Sequence, residues 1–182
     1  MVQLSELEVG KTLSYKYGPV TREGIIKYAN ASGDRNNIHT DDNFAVKMKL
    51  KGVIAHGLYS FGMVTRCLGE IGEMVKVSGQ MRGMVRPGDD WIITLTVKSI
   101  NGDLVTFEFV EQSKTKIRIE KDGEIVKAFE AHEREWITEK DIKKDLIKTE
   151  EVAEGTLYYR LRTAIPGSAV VRVGNSLDAS CK

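Results

Sequence analysis

The sequence predicts an α+β domain in which an antiparallel sheet wraps around one central helix. Residues Ala55 to Ile71 are strongly apolar on several faces of a helix, which is typical of a buried helix. Residues Val75 to Trp136 instead alternate between apolar and polar side chains and are divided by turn sequences, as consecutive strands are. A buried helix followed by strands in succession favours one sheet folded around that helix.

The elements before the apolar helix are shorter. Thr12 to Tyr17 alternates and predicts the first strand. Thr21 precedes apolar positions at helical spacing, which predicts a capped short helix that ends near Ser32 and Gly33. From Gly33 to Gly52 the residues are mostly polar turn formers, so we expect an irregular loop, a kind of segment that often carries functional groups.

The region after the apolar helix predicts four long strands, because three turn sequences divide it. These turns are Arg86-Pro87-Gly88-Asp89, Asn101-Gly102-Asp103 and Lys121-Asp122-Gly123. Together with the elements before it, this order predicts the hot-dog fold, in which an antiparallel sheet encloses one helix. The open edges and limited core of such a sheet favour a dimer in which two sheets or their active-site faces meet.

The last part of the chain is predicted to lie outside this domain, which would span residues 1–138. Residues 139–182 open with a charged stretch, Glu139 to Glu151, which favours an exposed helix or linker. The hexapeptide at 156–161 then resembles the first predicted strand at 12–17, and a Glu-Val pair precedes each. This echo fits the truncated start of a second repeat, and it equally fits an extra strand of unrelated origin.

Composition excludes several classes of protein. With 41% hydrophobic and 29% charged residues among 182, the chain can bury a core and is not expected to be disordered. Its formal net charge of +1 gives no global attraction to nucleic acid or anionic membranes. Cys67 and Cys181 have no metal-binding or redox spacing, and neither a leader nor a membrane span is readable, so we expect a cytoplasmic protein.

Three residues in the predicted loop bring a carboxylate, a carboxamide and an imidazole within six positions, namely Asp34, Asn36 and His39. A carboxylate can exchange protons with an imidazole when partial burial favours its neutral form. If the loop turns tightly, Asp34 and His39 can hold one water between them. Taken alone, Asp34 is better explained by an Asx turn or a helix cap, and His39 by an exposed loop position.

These residues belong to a longer, two-part pattern. The run Gly33-Asp34-x-Asn36-x-Ile38-His39 is followed by Ala45 and then by Gly52-x-Ile54-Ala55-His56-Gly57. This pattern resembles the signature of the MaoC-like (R)-specific enoyl-thioester hydratases and dehydratases, and especially their small single-domain (R)-3-hydroxyacyl dehydratase subunits. The resemblance runs from about Val9 to about Trp136 and includes the Arg86-Pro87-Gly88-Asp89 turn.

The resemblance implies a role for each motif residue. Asp34 and His39 would be the catalytic pair, Asn36 would shape the loop and contribute to substrate binding, and the backbone N–H of Gly57 would bind the thioester oxygen. The family usually has proline before Ile-His, whereas this chain has Asn37, which predicts a less rigid loop with the same chemistry. Gly57 is also explained by close packing at the start of its helix.

Hydration of a 2-enoyl thioester needs a base for water, an acid for C2 and stabilisation of charge on the thioester oxygen. In this interpretation His39, Asp34 and the Gly57 N–H supply them, and the reverse reaction dehydrates an (R)-3-hydroxyacyl thioester. Gly57 begins a helix, so its N–H is an unpaired donor at the positive end of the helix dipole. Ser60, one turn further, is expected to bind the substrate or the loop, or to bond back to its own helix.

The other candidate residues receive structural roles or none. We expect His56 to be a structural hydrogen-bond partner, His132 to lie on a strand surface and Cys67 to be unreactive. No metal or bound cofactor is implied, because coenzyme A or an acyl carrier protein is the handle of the thioester. Most of the basic residues near the motifs are expected to be ordinary solvated charges, but some could contact a coenzyme A phosphate or an acidic carrier surface. These basic residues are Arg35, Lys47, Lys49, Lys51, Arg66, Arg82 and Arg86.

Two other functions stay open at this point. A hot-dog thioesterase commonly uses a carboxylate on or near the central helix, but this helix has no acidic residue before Glu70. A non-catalytic partner subunit of a heteromeric dehydratase would be expected to lack Asp34 or His39, and this chain has both. Acyl chain length depends on how several large side chains pack, namely Tyr59, Phe61, Met63, Met81 and Met84.

Overall fold

A computed structural model describes residues 2–129 and 137–174. After a short 3-10 turn at Leu4–Glu6, the helices in these ranges are α1 (Arg22–Ser32), α2 (Asn37–Thr40), α3 (Asp42–Lys47), α4 (Gly57–Ile71) and α5 (Glu139–Lys143). The strands are β1 (Thr12–Tyr17), β2 (Glu73–Gly79), β3 (Asp90–Asn101), β4 (Leu104–Lys121), β5 (Glu124–Ala128), β6 (Ile147–Val152) and β7 (Gly155–Arg172).

These strands form one sheet in the order β1-β3-β4-β7-β2, with β5 added beside β4 and β6 beside β7. All the pairs are antiparallel. Helix α4 comes between β1 and β2 in the chain, and these two strands end the main strand order on opposite sides. The sheet therefore curls around α4, and the predicted α+β hot-dog fold is confirmed.

Helix α4 packs one face against the sheet. Its buried positions recur every three or four residues, as expected for one side of a helix: Ser60, Val64, Cys67, Leu68 and Ile71. The opposite side is open in the single chain, where Leu58 is 62% exposed. The predicted burial of nearly every face is therefore wrong for the single chain.

The first half of the chain follows the prediction closely. Strand β1 has the predicted bounds, and Thr21 caps α1 by accepting a hydrogen bond from the Gly24 N–H at 3.0 Å. The helix ends at Ser32, because Gly33 takes a left-handed conformation with φ of 77°.

The predicted irregular loop instead contains two short helices. Asn36 Oδ1 accepts from the Ile38 N–H at 3.2 Å at the start of α2, and Asp41 Oδ1 accepts from the Phe44 N–H at 3.1 Å at the start of α3. Polar residues that favour turns also cap helices, which is why the sequence pattern was misread here. Ala45 is fully buried and anchors α3.

The division expected at residue 138 differs from the structure. Strand β7 lies between β4 and β2 in the middle of the sheet and pairs with β4 over most of its length. Ile165, Ala169 and Val171 of β7 belong to the hydrophobic core. Residues 155–172 therefore complete the domain, and they are neither a linker nor the start of a second repeat.

Between β4 and β7 the described chain includes β5, α5 and β6, and one buried carboxylate links α5 to β7. Asp141 accepts hydrogen bonds from Thr138 at 2.7 Å, Arg160 at 3.0 Å and Arg162 at 3.1 Å. Burial alone would raise the pKa of Asp141, but the bonds from Thr138 and Arg162 and the charge of Arg160 lower it to about 2. The charged stretch that predicted a linker thus contributes a buried ion pair.

His132, Trp136 and Cys181 lie outside the described residues, so the predictions about them stay predictions. Among the helices in the described ranges, none has the length and apolar character that crossing a membrane requires.

Candidate active site

His39 lies in α2 and has a defined tautomer. Its Nδ1 is 2.8 Å from the carbonyl oxygen of Ile54, and a carbonyl can only accept a hydrogen bond. Nδ1 therefore carries the proton, and Nε2 of the neutral ring keeps its lone pair. Ile54 also donates its own N–H to the Ile38 carbonyl at 3.2 Å, so these contacts join the two parts of the sequence motif.

The surroundings of His39 favour its neutral form. Burial lowers the pKa of His39 below its ordinary value of 6.5, the Ile54 carbonyl opposes that effect, His56 lowers the pKa further and Asp34 raises it. The net direction is downward. The imidazole is thus held as a base near neutral pH.

Asp34 follows the left-handed Gly33 and lies beside the two histidines. One carboxylate oxygen of Asp34 and one ring nitrogen of each of His39 and His56 lie within 4.8 Å of one another. Asp34 Oδ1 also accepts from the Asn36 N–H at 3.3 Å, in the manner of an Asx turn. Partial burial was expected for this carboxylate, but Asp34 is exposed in the single chain.

His56 directly precedes α4 and is a structural hydrogen-bond partner, as predicted. Its Nε2 donates to the backbone carbonyl of Asp34 at 2.9 Å, which holds the loop against the start of the helix. Its ring stacks on that of His39 with centroids 3.7 Å apart. The Nδ1 atom of His56 is buried and has no hydrogen-bond partner within the described ranges.

Asp34, His39 and His56 have the atom types of a metal site, but their geometry favours proton transfer. The two imidazole planes are inclined by only 26° and lie one above the other. A metal held by two imidazoles lies near both ring planes, about 2.0–2.1 Å from each nitrogen. Rings stacked in this way do not direct two lone pairs at one such point unless one of them rotates.

The start of α4 supplies backbone donors beside the pair. The first hydrogen bond inside the helix runs from the Ser60 N–H to the His56 carbonyl, so the Gly57 N–H precedes the helical bonding pattern. A Cβ at Gly57 would overlap the Met81 side chain. Close packing therefore also explains this glycine, and its predicted role in binding the thioester oxygen stays a prediction.

Ser60 and Asn36 have protein partners. Ser60 is buried, and its Oγ accepts from Trp91 Nε1 at 3.0 Å, so it bonds to the sheet rather than to the loop or back to its own helix. Asn36 caps α2 and accepts the His39 N–H at its backbone carbonyl at 3.0 Å. Both contacts support the geometry of the site, and substrate binding by either residue stays a prediction.

Sequence reasoning missed an aromatic cluster that supports the histidines. Tyr28 packs on His56 with centroids 4.9 Å apart and stacks on Tyr59 at 5.3 Å, and Tyr59 meets Trp91 edge to face at 5.3 Å. The sequence could have indicated this cluster only through the helical spacing of Tyr28 in α1 and of Tyr59 in α4. These rings come from three elements that only the fold brings together.

The predicted anion-binding residues divide into two groups. Three of them already contact the protein: Arg66 lies over the Tyr17 ring, Arg82 bonds Gln80, and Arg86 donates to the Gly52 carbonyl at 3.4 Å. The other four, all with exposed side chains, are Arg35, Lys47, Lys49 and Lys51.

A comparison with protein families decides the relationship of this chain. The family model described as "MaoC like domain" matches residues 6–128, more than half of the chain. The chain belongs to the MaoC-like dehydratase family. That match contains the loop with Asp34 and His39, the start of α4 and strands β1 to β5.

A curated relative of this chain is named as a dehydratase. The 3-hydroxybutyryl-CoA dehydratase of Methylorubrum extorquens is 35% identical over 69 residues, an alignment that spans 38% of this chain and 43% of the relative. The aligned part is therefore less than half the length of that curated protein.

Several solved structures share the fold. The (R)-hydratase PhaJ1 of Pseudomonas aeruginosa has a TM-score of 0.63 and 17% identity, covering 94% of this chain and 85% of its own. The (R)-hydratase of A. caviae has a TM-score of 0.62 and 16% identity, with 92% and 98% covered. The ChsH1-ChsH2 complex of Mycobacterium tuberculosis has a TM-score of 0.59 and 14% identity, with 92% and 98% covered. At these identities the likeness concerns the fold.

Proposed function

We propose that this chain is a hydro-lyase that reversibly hydrates a trans-2-enoyl thioester to an (R)-3-hydroxyacyl thioester. The thioester handle would be coenzyme A or an acyl carrier protein, and no bound cofactor takes part. The observation that carries the proposal is the His39 tautomer, which leaves an unprotonated Nε2 on a ring beside the Asp34 carboxylate. Membership of the MaoC-like family supports it.

In the hydration direction, His39 Nε2 accepts a proton from water while the water oxygen bonds to C3 of the enoyl group. Negative charge then develops on the thioester oxygen, where the Gly57 N–H and the positive end of the α4 dipole stabilise it. The proton taken by His39 passes to the Asp34 carboxylate, and the acid so formed gives it to C2. Water has then supplied both the hydroxyl group and the proton, and the pair is restored for the next turnover.

The test follows the enoyl absorbance of crotonyl-coenzyme A together with release of free thiol. We expect absorbance to fall without thiol release. Asp34→Asn and His39→Ala should each lower kcat by about 100-fold or more, the usual contribution of a positioned acid or base. Asp122→Asn, a change of the same type in the exposed β4–β5 turn, is the matched control and should keep full activity.

Other outcomes point to other functions. Thiol release would identify a thioesterase. Unchanged absorbance with short and long acyl chains and with an added carrier protein would point to a partner subunit that works in a heteromer. The fold likeness to the two-protein ChsH1-ChsH2 complex makes that alternative specific enough to test by co-purification with related subunits.

A homodimer is part of this proposal. Strand β2 is an edge of the sheet, and its Met74 and Val75 side chains are 40% and 51% exposed. Exposed apolar side chains on an unpaired edge favour association with a second copy. Light scattering after size-exclusion chromatography should give twice the chain mass of 20.3 kDa, and a monomer at working concentrations would refute this part.

A further inference from the structure

Glu111 is a buried carboxylic acid without a hydrogen-bond partner in the part of the chain that the structure describes. Its exposed fraction is 0%, and neither carboxylate oxygen has a hydrogen-bond partner within residues 2–129 and 137–174. Burial raises its pKa to about 8, so the group is mostly neutral at pH 7. A buried polar group without a hydrogen bond lowers the stability of the fold, so its presence indicates a functional role.

Glu111 points from the sheet toward α4. It lies on the same side of β4 as Phe109, opposite Ile93 of β3 and Ile165 of β7, and all three neighbours are buried. Burial is the main reason that the pKa of Cys67 in α4 rises to about 12, and the charge of Glu111 adds to that rise. The acid thus occupies an apolar layer between helix and sheet.

Polar residues lie between the start of α4 and Glu111. Ser60, one turn into α4, accepts from Trp91 at 3.0 Å, and Trp91 lies opposite Ser113 on the neighbouring strand. Glu111 is two residues from Ser113 on the same face of β4, a displacement of about 7 Å along a strand. Ser60, Trp91 and Ser113 all have hydrogen-bond partners, whereas the two oxygens of Glu111 have none in the described residues.

We propose that the acyl chain binds between α4 and the sheet and that Glu111 forms the polar end of this binding site, where it determines substrate specificity. It would bind a hydroxyl or carbonyl oxygen on the distal part of the acyl chain. A neutral carboxyl group donates one hydrogen bond and accepts others, which suits either oxygen. A hydrocarbon chain would leave the acid unsatisfied, and sites built for a polar group reject analogues that lack it.

This inference rests on the proposed hydratase function, and a matched substrate pair tests it. We compare kcat/KM for trans-2-hexenoyl-coenzyme A and 6-hydroxy-trans-2-hexenoyl-coenzyme A. Wild type should prefer the hydroxylated substrate by about tenfold, the effect of one hydrogen bond. Glu111→Leu should prefer the plain chain, whereas Glu111→Gln should keep the original direction, because an amide also donates and accepts.

Glu108→Leu is the control, since Glu108 is exposed on the opposite face of the same strand and should leave the preference unchanged. An equal preference ratio in wild type and Glu111→Leu would overturn the inference and leave Glu111 as a structural acid. If none of the proteins hydrates any substrate, including crotonyl-coenzyme A, the proposed function fails separately. Calorimetric binding of hexanoyl- and 6-hydroxyhexanoyl-coenzyme A to the same variants then decides the role of Glu111.

Discussion

The buried Glu111 should make the stability of this protein fall as the pH rises. Its ordinary pKa of 4.5 applies to the unfolded chain, whereas burial raises the pKa to about 8 in the folded chain. Between these values the unfolded chain has released the proton and the folded chain has kept it. Deprotonation therefore favours unfolding throughout this interval and stops doing so above pH 8, where the folded acid also ionises.

The size of the effect follows from that difference. Stability changes by about 1.4 kcal/mol per pH unit for each proton by which the two states differ. Between pH 5.5 and 7.5 the free energy of unfolding should fall by about 3 kcal/mol through Glu111 alone, and by about 5 kcal/mol over the whole interval. Domains of this kind are stable by about 5–15 kcal/mol, so the change is readily measured.

Urea unfolding at pH 5.5 and 7.5 measures the effect, with Glu111→Gln beside wild type. The glutamine variant keeps the shape of the side chain and cannot ionise, so the difference between the two proteins cancels the titration of every other group. The stability gap should widen in favour of the variant as the pH rises. Parallel pH dependence in the two proteins would refute the argument that the acid is desolvated.

Four further outcomes are expected. Asp141→Asn should lower the free energy of unfolding by about 2 kcal/mol at pH 7, because the pKa of Asp141 is about 2 in the folded chain instead of its ordinary 3.8, which stabilises the fold above pH 3.8. This contribution disappears as the pH falls through 2. Urea unfolding of both proteins at pH 7 and pH 2 measures it, and an equal difference at the two pH values would contradict the prediction. Thr21→Ala should lower the free energy of unfolding by about 1 kcal/mol, because the α1 cap is lost. An unchanged midpoint of urea unfolding would refute this prediction. Gly57→Ala should change the melting temperature only slightly, because the Met81 side chain that a new Cβ would meet is flexible and 55% exposed and can move away; a large fall would show that this contact is rigid. The kcat/KM for hydration should fall with decreasing pH along a curve whose midpoint lies below 6.5, the ordinary pKa of His39, and a midpoint above that value would contradict the buried base.

Much of the fold could be predicted because its local patterns are strong. Strand β1 alternates cleanly, Thr21 precedes a helical pattern, and three turn sequences mark the ends of strands. Each of these signals depends on neighbouring residues alone. The pairing of the Asp34 loop with the start of α4 came from a recognised motif, and the short distances among Asp34, His39 and His56 agree with it.

The position of β7 in the sheet could not be predicted, because its partner strands are distant in sequence and two of its own residues are typical of a turn. Pro166 and Gly167 together favour a turn, yet both lie inside a central strand. The reason is packing: a Cβ at Gly167 would meet the Phe109 ring of β4 and the Ser78 carbonyl of β2. Such close approach between strands requires glycine there, and no pattern along the chain reveals it.

The burial of Glu111 on the inner face of the sheet also could not be predicted from the sequence. In the sequence of β4, Glu111 lies between Val110 and Gln112, which is compatible with either face of the sheet. Only the register with Ile93 and Ile165 assigns it to the inner face. The orphan Nδ1 of His56 is similar, since it depends on which ring nitrogen meets the Asp34 carbonyl.

The position of β7 has a consequence for how the chain folds during synthesis. Strand β2 leaves the ribosome early, but it pairs with β7, and the ion pair between Glu73 and Arg172 joins residues 99 positions apart. Contacts of such long range slow folding, and β2 has no β7 to pair with until residues 155–172 are made. The nascent chain should therefore engage chaperones until β7 emerges.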